Sequence, residues 1–217
     1  MNLLVAIPTR SNWVMLAPLL EQLSGLEVIL YDNGHNSPEG QALLAAQENV
    51  VDARGWSFYK MWNSGWQYAA EHGYDAVALL NDDIVLHPES LSIAFDALMG
   101  DEKIGIVGLN YGRQVQDGIQ ADAGLRYVSG GYQNHGIGGH AFLMRTSTWG
   151  VVPPIDENYV IWYGDDELFA NMELYGYRMA IAVGSPVDHV MSTTVNQHPE
   201  LLAKTGEDAA RFKERFR

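Results

Sequence analysis

An apolar run that leads directly into three polar residues decides the fold of this chain. The run is Ala76-Val77-Ala78-Leu79-Leu80, and Asn81-Asp82-Asp83 follows it without a spacer. Five consecutive apolar residues predict a strand that is buried on both faces, as in a parallel sheet covered by helices. Ligands of such sheets bind at the carboxyl ends of the strands, so the polar triplet stands where a binding site is expected.

The same pattern of a short apolar run followed by polar residues recurs along the first half of the chain. Including this run, the predicted strands cover residues 3–7, 27–31, 49–52, 76–80 and 104–109. Apolar residues at helical spacing lie between them and predict helices over 13–23, 38–47, 58–69 and 91–99. This alternation predicts an α/β fold with a Rossmann-like, mostly parallel sheet and helices on both faces.

The second half of the chain has a different composition. Residues 110–139 are rich in Gly, Gln and Asp without a helical period, which predicts short strands, hairpins and loop. Further predicted elements are strands over 139–145 and 179–183, a helix over 165–175 that ends at Gly176, and a polar helix over 199–217. Because no repeat or low-complexity linker divides the sequence, we expect one domain, residues 1–217, with a small C-terminal addition of strand and helix.

Composition and charge exclude several classes of function. Among 217 residues, 13 are Lys or Arg and 27 are Asp or Glu, so the net charge is −14 and nucleic-acid binding is not expected. The chain contains no cysteine, which excludes disulfide scaffolds, thiolate nucleophiles and zinc–thiolate sites. No apolar stretch reaches 18 residues and the N-terminus lacks a basic region, so we expect no transmembrane segment and a cytoplasmic location.

Two acidic clusters and one histidine are the candidates for chemistry. Asp82 and Asp83 repel each other and attract a divalent cation, although a solvated turn with a helix-capping Asp is the simpler alternative. Asp165 and Asp166 open a predicted helix, where they serve either as a general base or as partners of the helix dipole. His189 follows a predicted strand, so it is either a metal ligand or a structural histidine.

Several common site motifs are absent from the sequence. There is no GxxxxGK[ST] phosphate loop and no GxSxG nucleophile elbow. The first predicted strand leads into Pro8-Thr9-Arg10 rather than GxGxxG, which argues against a dinucleotide-dependent oxidoreductase.

Taken in order, the motifs resemble those of family 2 glycosyltransferases with the GT-A fold. The resemblance covers about residues 3–195 and is closest to the rhamnosyltransferase-like branch. The segments that carry it are 3–10, 28–34, 79–88, 137–145, 155–168 and 189–192. It implies a metal-dependent, inverting enzyme that moves a sugar from a UDP-, dTDP- or GDP-linked donor to a saccharide or other hydroxyl acceptor. Residues 1–110 would form the nucleotide-binding half and 111–217 the acceptor-binding half.

The resemblance also assigns roles to individual residues. Asn81 replaces the first Asp of the family's DxD motif, so Asp83 and His189 are the expected ligands of Mn²⁺ or Mg²⁺. The catalytic base is Asp165 when the sequence is aligned on Leu168, and Asp166 when the alignment shifts by one residue. The residues expected to bind the donor are Pro8, Thr9, Arg10, Asp32, Asn63, Asn81, Asp82 and Gly139.

Two other functions stay open at this stage. A non-catalytic module that binds nucleotide or carbohydrate is suggested by two departures from the family pattern, at Asn81 and Gly164. A sugar nucleotidyltransferase would share the sheet and the metal, but it needs a basic, glycine-rich loop where this chain has only Arg10.

Overall fold

One sheet organises the computed structural model, which describes residues 1–34, 37–111, 124–128, 137–190 and 199–216, without the side chains of 199–201. Its nine described strands are β1 (Leu3–Thr9), β2 (Glu27–Asp32), β3 (Val50–Asp52), β4 (Ala76–Leu80), β5 (Ile84–Leu86), β6 (Ile104–Tyr111), β7 (Leu125–Val128), β8 (Ala141–Arg145) and β9 (Arg178–His189). The α-helices are α1 (Trp13–Gln22), α2 (Pro38–Ala45), α3 (Phe58–Glu71), α4 (Ser90–Met99), α5 (Gly164–Leu174) and α6 (Thr205–Arg215), with short 3₁₀ helices at Thr146–Thr148 and Pro199–Lys204.

The strand order confirms the mostly parallel sheet. The order is β3-β2-β1-β4-β8-β6-β9-β5, and β7 pairs with β9 on the side of the sheet that carries β5. Strands β1, β2, β3, β4, β6 and β9 point the same way, while β5, β7 and β8 are antiparallel to their neighbours. The carboxyl ends of six strands therefore meet at one end of the sheet.

Helices cover both faces of the sheet, as the sequence predicts. Alternate residues of β1 belong to two separate apolar clusters, because successive side chains of a strand point to opposite faces. One cluster is closed by α3, α5 and α6, and the other by α1, α2 and α4. Gly65 lets α3 lie close to β1, because a Cβ atom there would stand 2.7 Å from Cβ of Ala6.

The structure differs from the predicted elements at several places. β5 was not expected, because three residues are too few for a periodic signal and only pairing with β9 defines the strand. β9 extends six residues beyond the predicted end at Val183, and α2 ends at Ala45 instead of 47. The C-terminal helix is split, with a 3₁₀ helix over Pro199–Lys204 before α6.

Much of the glycine-rich segment 110–139 lies outside the described residues, which there include only 110–111, the strand β7 with Gly124, and 137–139. None of the helices within the described ranges is long and apolar enough to cross a membrane.

Candidate active site

The carboxyl ends of the strands bring several of the predicted donor-binding residues together. Thr9, at the end of β1, pairs with Asp32 at the end of β2, and Asp32 pairs in turn with Asp52 of β3. On the other side of β1, the end of β4 leads into Asn81. Antiparallel pairing of Leu80 with Ala141 places the loop before β8 at the same end of the sheet. The candidate site is therefore built from loops that are far apart in sequence.

Asp82 joins the loop after β1 to the loop after β4. The hydroxyl of Thr9 donates to Asp82 Oδ2 over 2.7 Å, and the side-chain amide of Asn12 donates to Oδ1 over 3.1 Å. The backbone N–H of Arg10 donates to Oδ2 over 3.3 Å. Burial raises the pKa of Asp82 to about 6, although the hydrogen bonds from Thr9 and Asn12 act to lower it. The carboxylate thus fixes the position of the turn over residues 9–12.

Asp83 and His189 contact each other in a largely buried position. Oδ1 of Asp83 lies 3.0 Å from Nε2 of His189, and the two side chains are 7% and 14% exposed. A backbone hydrogen bond from Val190 N–H to the Asp83 carbonyl, 2.9 Å long, fixes the end of β9 beside this turn. The two residues that the sequence predicts as metal ligands are therefore neighbours.

His140 belongs to this site, and although it lies in the segment 137–145 that carries the resemblance, the sequence assigned its side chain no role. Its ring stacks on His189 with centroids 4.4 Å apart and planes at 10°. Burial, with a smaller contribution from nearby His189, lowers the pKa of His140 to about 4 against the raising influence of Asp83, so the ring is neutral at neutral pH. Its carbonyl accepts from Asn81 N–H over 2.8 Å, which ties the β8 loop to the triplet. The glycines that precede His140 were its sequence signal.

The donor set of Asp83 and His189 fits a divalent cation such as Mn²⁺ or Mg²⁺. Carboxylate oxygen is the preferred protein ligand of both ions, and imidazole nitrogen is a common ligand of transition metals. Oδ1 of Asn81 and Nε2 of His140 are buried close by and have no hydrogen-bond partner among the described residues. Within the described ranges, no three His, Asp or Glu side chains form a cluster that would hold a metal alone.

Asp165 lies against the glycine-rich loop before β8. A Cβ atom on Gly139 would stand 2.4 Å from Asp165 Oδ2, so only glycine leaves room for this carboxylate. The start of α5 is equally tight, because a Cβ on Gly164 would stand 2.3 Å from the ring of Tyr59. The Tyr59 hydroxyl donates to the Ile161 carbonyl over 2.9 Å. Buried Tyr59 thus fixes the backbone that carries Asp165, while Asp166 follows on the same helix turn.

The remaining predicted donor-binding residues differ in what their side chains contact. Asn63 is buried, and its amide exchanges two hydrogen bonds with the backbone of Ile155, at 2.8 and 3.0 Å. Both the nitrogen and the oxygen of the Asn63 amide thus bond to the loop before α5, so the structure offers no support for direct contact between Asn63 and a donor. Pro8 is buried within β1, Arg10 is exposed, and half-buried Asp32 accepts from Gly34 N–H over 2.9 Å.

Three solved glycosyltransferase structures resemble this chain in fold. A mannosyltransferase from Pyrobaculum calidifontis, in complex with GDP-Man and Mn²⁺, matches with a TM-score of 0.66 at 12% identity over 89% of this chain and 58% of its own. GalNAc-T7 with UDP, GalNAc and Mn²⁺ matches with a TM-score of 0.64 at 12% identity over 93% of this chain and 47% of its own. The chain has the GT-A fold.

In a third match, this chain corresponds to a larger share of the solved protein. Glucosyl-3-phosphoglycerate synthase from Mycobacterium tuberculosis, in complex with Mn²⁺, UDP and glucosyl-3-phosphoglycerate, has a TM-score of 0.61 and 15% identity. The match covers 97% of this chain and 79% of the synthase. By contrast, the chain spans only 58% and 47% of the first two proteins. No protein-family model and no curated protein sequence matches the chain.

Proposed function

We propose that the protein is a metal-dependent, inverting glycosyltransferase that moves a sugar from a nucleotide-diphosphate donor to an acceptor hydroxyl. The observation that carries this proposal is the contact between Asp83 Oδ1 and His189 Nε2, 3.0 Å apart at the carboxyl end of the sheet. On this proposal residues 1–110 bind the nucleotide and 111–217 the acceptor. The order of the sequence motifs supports family 2, in its rhamnosyltransferase-like branch.

The charge of the site supports a cation as part of it. Asp32, Asp82, Asp83 and Asp165 lie at the same end of the sheet, and their charges would repel a diphosphate group. A divalent cation held among these carboxylates would offset the repulsion. Mn²⁺ or Mg²⁺ held by Asp83 and His189 would stabilise the charge that develops on the departing diphosphate.

The chain's own residues supply binding and proton transfer. The turn over residues 9–12, fixed by Asp82, and Asp32 would hold the nucleotide base, and Asn81 the ribose. Asp165 would accept the proton of the acceptor hydroxyl as that oxygen attacks the anomeric carbon from the face opposite the diphosphate. Its position over Gly139 supports this role, because Gly139 is one of the residues expected to bind the donor.

Ligand-dependent stability tests the proposal first. The melting temperature would be measured with UDP, GDP or dTDP, each with Mn²⁺, with Mg²⁺ and with EDTA. One of the diphosphates should raise the melting temperature when Mn²⁺ or Mg²⁺ is present but not when EDTA is present. The reason is that a ligand that binds only the native state raises its stability. No stabilisation with any pair of metal and nucleotide would contradict the proposed donor site.

Turnover separates the enzyme from the non-catalytic module. UDP-glucose, GDP-mannose and dTDP-rhamnose would each be incubated with Mn²⁺, with and without a panel of monosaccharide and disaccharide acceptors. Release of the nucleoside diphosphate, abolished by EDTA, is the expected result. Binding of a diphosphate without turnover in any pairing would favour the non-catalytic alternative. Release of pyrophosphate from a nucleoside triphosphate and a sugar phosphate would instead identify a nucleotidyltransferase.

A further inference from the structure

One face of α6 carries contacts that the proposed reaction does not explain. The four residues at i, i+3, i+4 and i+7 of this face point to the same part of the chain; they are Asp208, Arg211, Phe212 and Arg215. Residues at this spacing form a single stripe along a helix. Each of the four contacts a residue between 156 and 167, a stretch that we call the base segment because it contains Asp165.

Asp208 is the most buried of the four, although it carries a carboxylate. It is 1% exposed, and its oxygens accept from three successive backbone N–H groups, those of residues 160, 161 and 162. The distances are 3.1 Å from Val160 to Oδ1, and 3.0 Å from both Ile161 and Trp162 to Oδ2. A carboxylate that receives several backbone hydrogen bonds holds a loop firmly, because losing it leaves several buried donors without a partner.

The other residues of the stripe contact the base segment on both sides of these amides. Arg211 lies 3.3 Å from the carboxylate of Asp156, at the beginning of the segment. Arg215 lies 2.8 Å from Glu167, at its end.

Between these two ion pairs, the ring of Phe212 packs on Tyr163 with centroids 5.6 Å apart. Tyr163 has φ of +69°, a conformation rare for residues other than glycine, and it immediately precedes α5. The sharp entry into α5 is therefore packed against α6, two residues before Asp165.

We propose that Asp208 is a positioning residue, through which α6 fixes the base segment and thereby the carboxylate of Asp165. The inference rests on the proposed function, in which Asp165 is the base. Asp208 does not reach the substrate on this proposal; it acts only through the backbone of residues 160–162. Small displacements of a catalytic group are costly, since about 1 Å can lower a rate by about a hundredfold.

Three variants test this role: Asp208→Ala, Asp208→Asn and, as a matched control, Glu207→Ala. Glu207 is the neighbouring acidic residue in the first turn of α6, and its side chain is 67% exposed. Amide hydrogen exchange of residues 160–162 reports the anchoring without any activity. Asp208→Ala should speed this exchange, Asp208→Asn should do so less because it keeps one acceptor oxygen, and Glu207→Ala should leave it unchanged.

The kinetic result expected for Asp208→Ala is a fall in kcat of at least about tenfold, with KM for the donor changed less than about twofold. Asp208→Asn should recover part of kcat, and it replaces the alanine variant if that one does not fold. Wild-type kcat in a variant whose amides exchange rapidly would overturn the positioning role. Slow exchange in Asp208→Ala would overturn the anchoring itself. Absence of turnover in the wild type would refute the proposed function, and the exchange rates would still decide the anchoring.

Discussion

Asp83 and His189 are in contact although 106 positions separate them in sequence. A second pair of the same chemistry lies at the other end of β5, where Nε2 of His87 is 2.9 Å from Oδ2 of Asp188 in β9. The pairs differ in their surroundings: the side chains of Asp83 and His189 are 7% and 14% exposed, whereas those of His87 and Asp188 are 45% and 69% exposed. The second pair therefore provides a natural control for the first.

Replacing His189 should remove metal binding, and replacing His87 should not. We expect His189→Ala to weaken Mn²⁺ binding by at least about tenfold, because loss of even an outer partner of a metal ligand costs about 10–100-fold. Electron paramagnetic resonance of free Mn²⁺, titrated with protein and a saturating nucleoside diphosphate, measures the affinity. His87→Ala should bind Mn²⁺ like the wild type. If both variants bound Mn²⁺ with equal affinity, His189 would not be a metal ligand.

The two candidate bases can be separated by amide substitutions. Asp165→Asn should lower kcat by about 10²–10⁴-fold, the usual contribution of a general base, with little change in KM for the donor. Asp166→Asn should have a much smaller effect, because it is Asp165 whose carboxylate packs over Gly139. Steady-state kinetics with saturating acceptor distinguish them. A larger loss in the Asp166 variant would assign the base to that residue.

A methyl group on Gly164 should disturb the site from within the core. Its Cβ would stand 2.3 Å from the Tyr59 ring, and overpacking of this kind costs about 1–3 kcal/mol. Gly164→Ala should therefore lower both the free energy of unfolding in urea and kcat. Gly206→Ala is the control, since no atom lies within 4 Å of its added Cβ, and it should be neutral or stabilise by up to about 1 kcal/mol. Unchanged stability of Gly164→Ala would refute the close packing.

Glu167 should make stability depend on pH in a defined direction. Burial raises its pKa, and this effect exceeds the opposing influence of Arg215. A raised pKa in the folded state means that folding favours the protonated acid, so the contribution is full below the unfolded pKa of about 4.3 and is lost as pH rises through the folded pKa.

Comparison with Glu167→Gln, which cannot titrate, isolates this contribution. The free energy of unfolding of the wild type minus that of the variant should fall as pH is raised from about 4 to about 8. Urea unfolding at several pH values provides both quantities. A difference that grows with pH would mean that the ion pair with Arg215 outweighs burial.

Parts of the fold were predictable because they are local. The run 76–80 is apolar throughout and is a buried strand in the structure, and the helix predicted over 58–69 is contained in α3. β5 was not predictable, because its three residues become a strand only through hydrogen bonds with β9.

The candidate site, like the fold, was only partly predictable from the sequence. The sequence predicted Asp83 and His189 as partners by resemblance, but it gave no reason to place His140 against His189 or Asp208 beneath residues 160–162. These contacts join loops and a helix that are distant in sequence and that only the folded arrangement brings together.

The sequence by itself determined the alternation of strands and helices, the absence of thiol chemistry and the polar residues that end each strand. Each of these depends only on residue type and on spacing over a few residues, and neither requires knowledge of distant contacts. The tertiary structure alone decided which polar residues meet and how deeply they are buried. Strand order and register set those distances, and a carboxylate such as Asp208 is an exposed charge or a buried anchor depending on what packs over it.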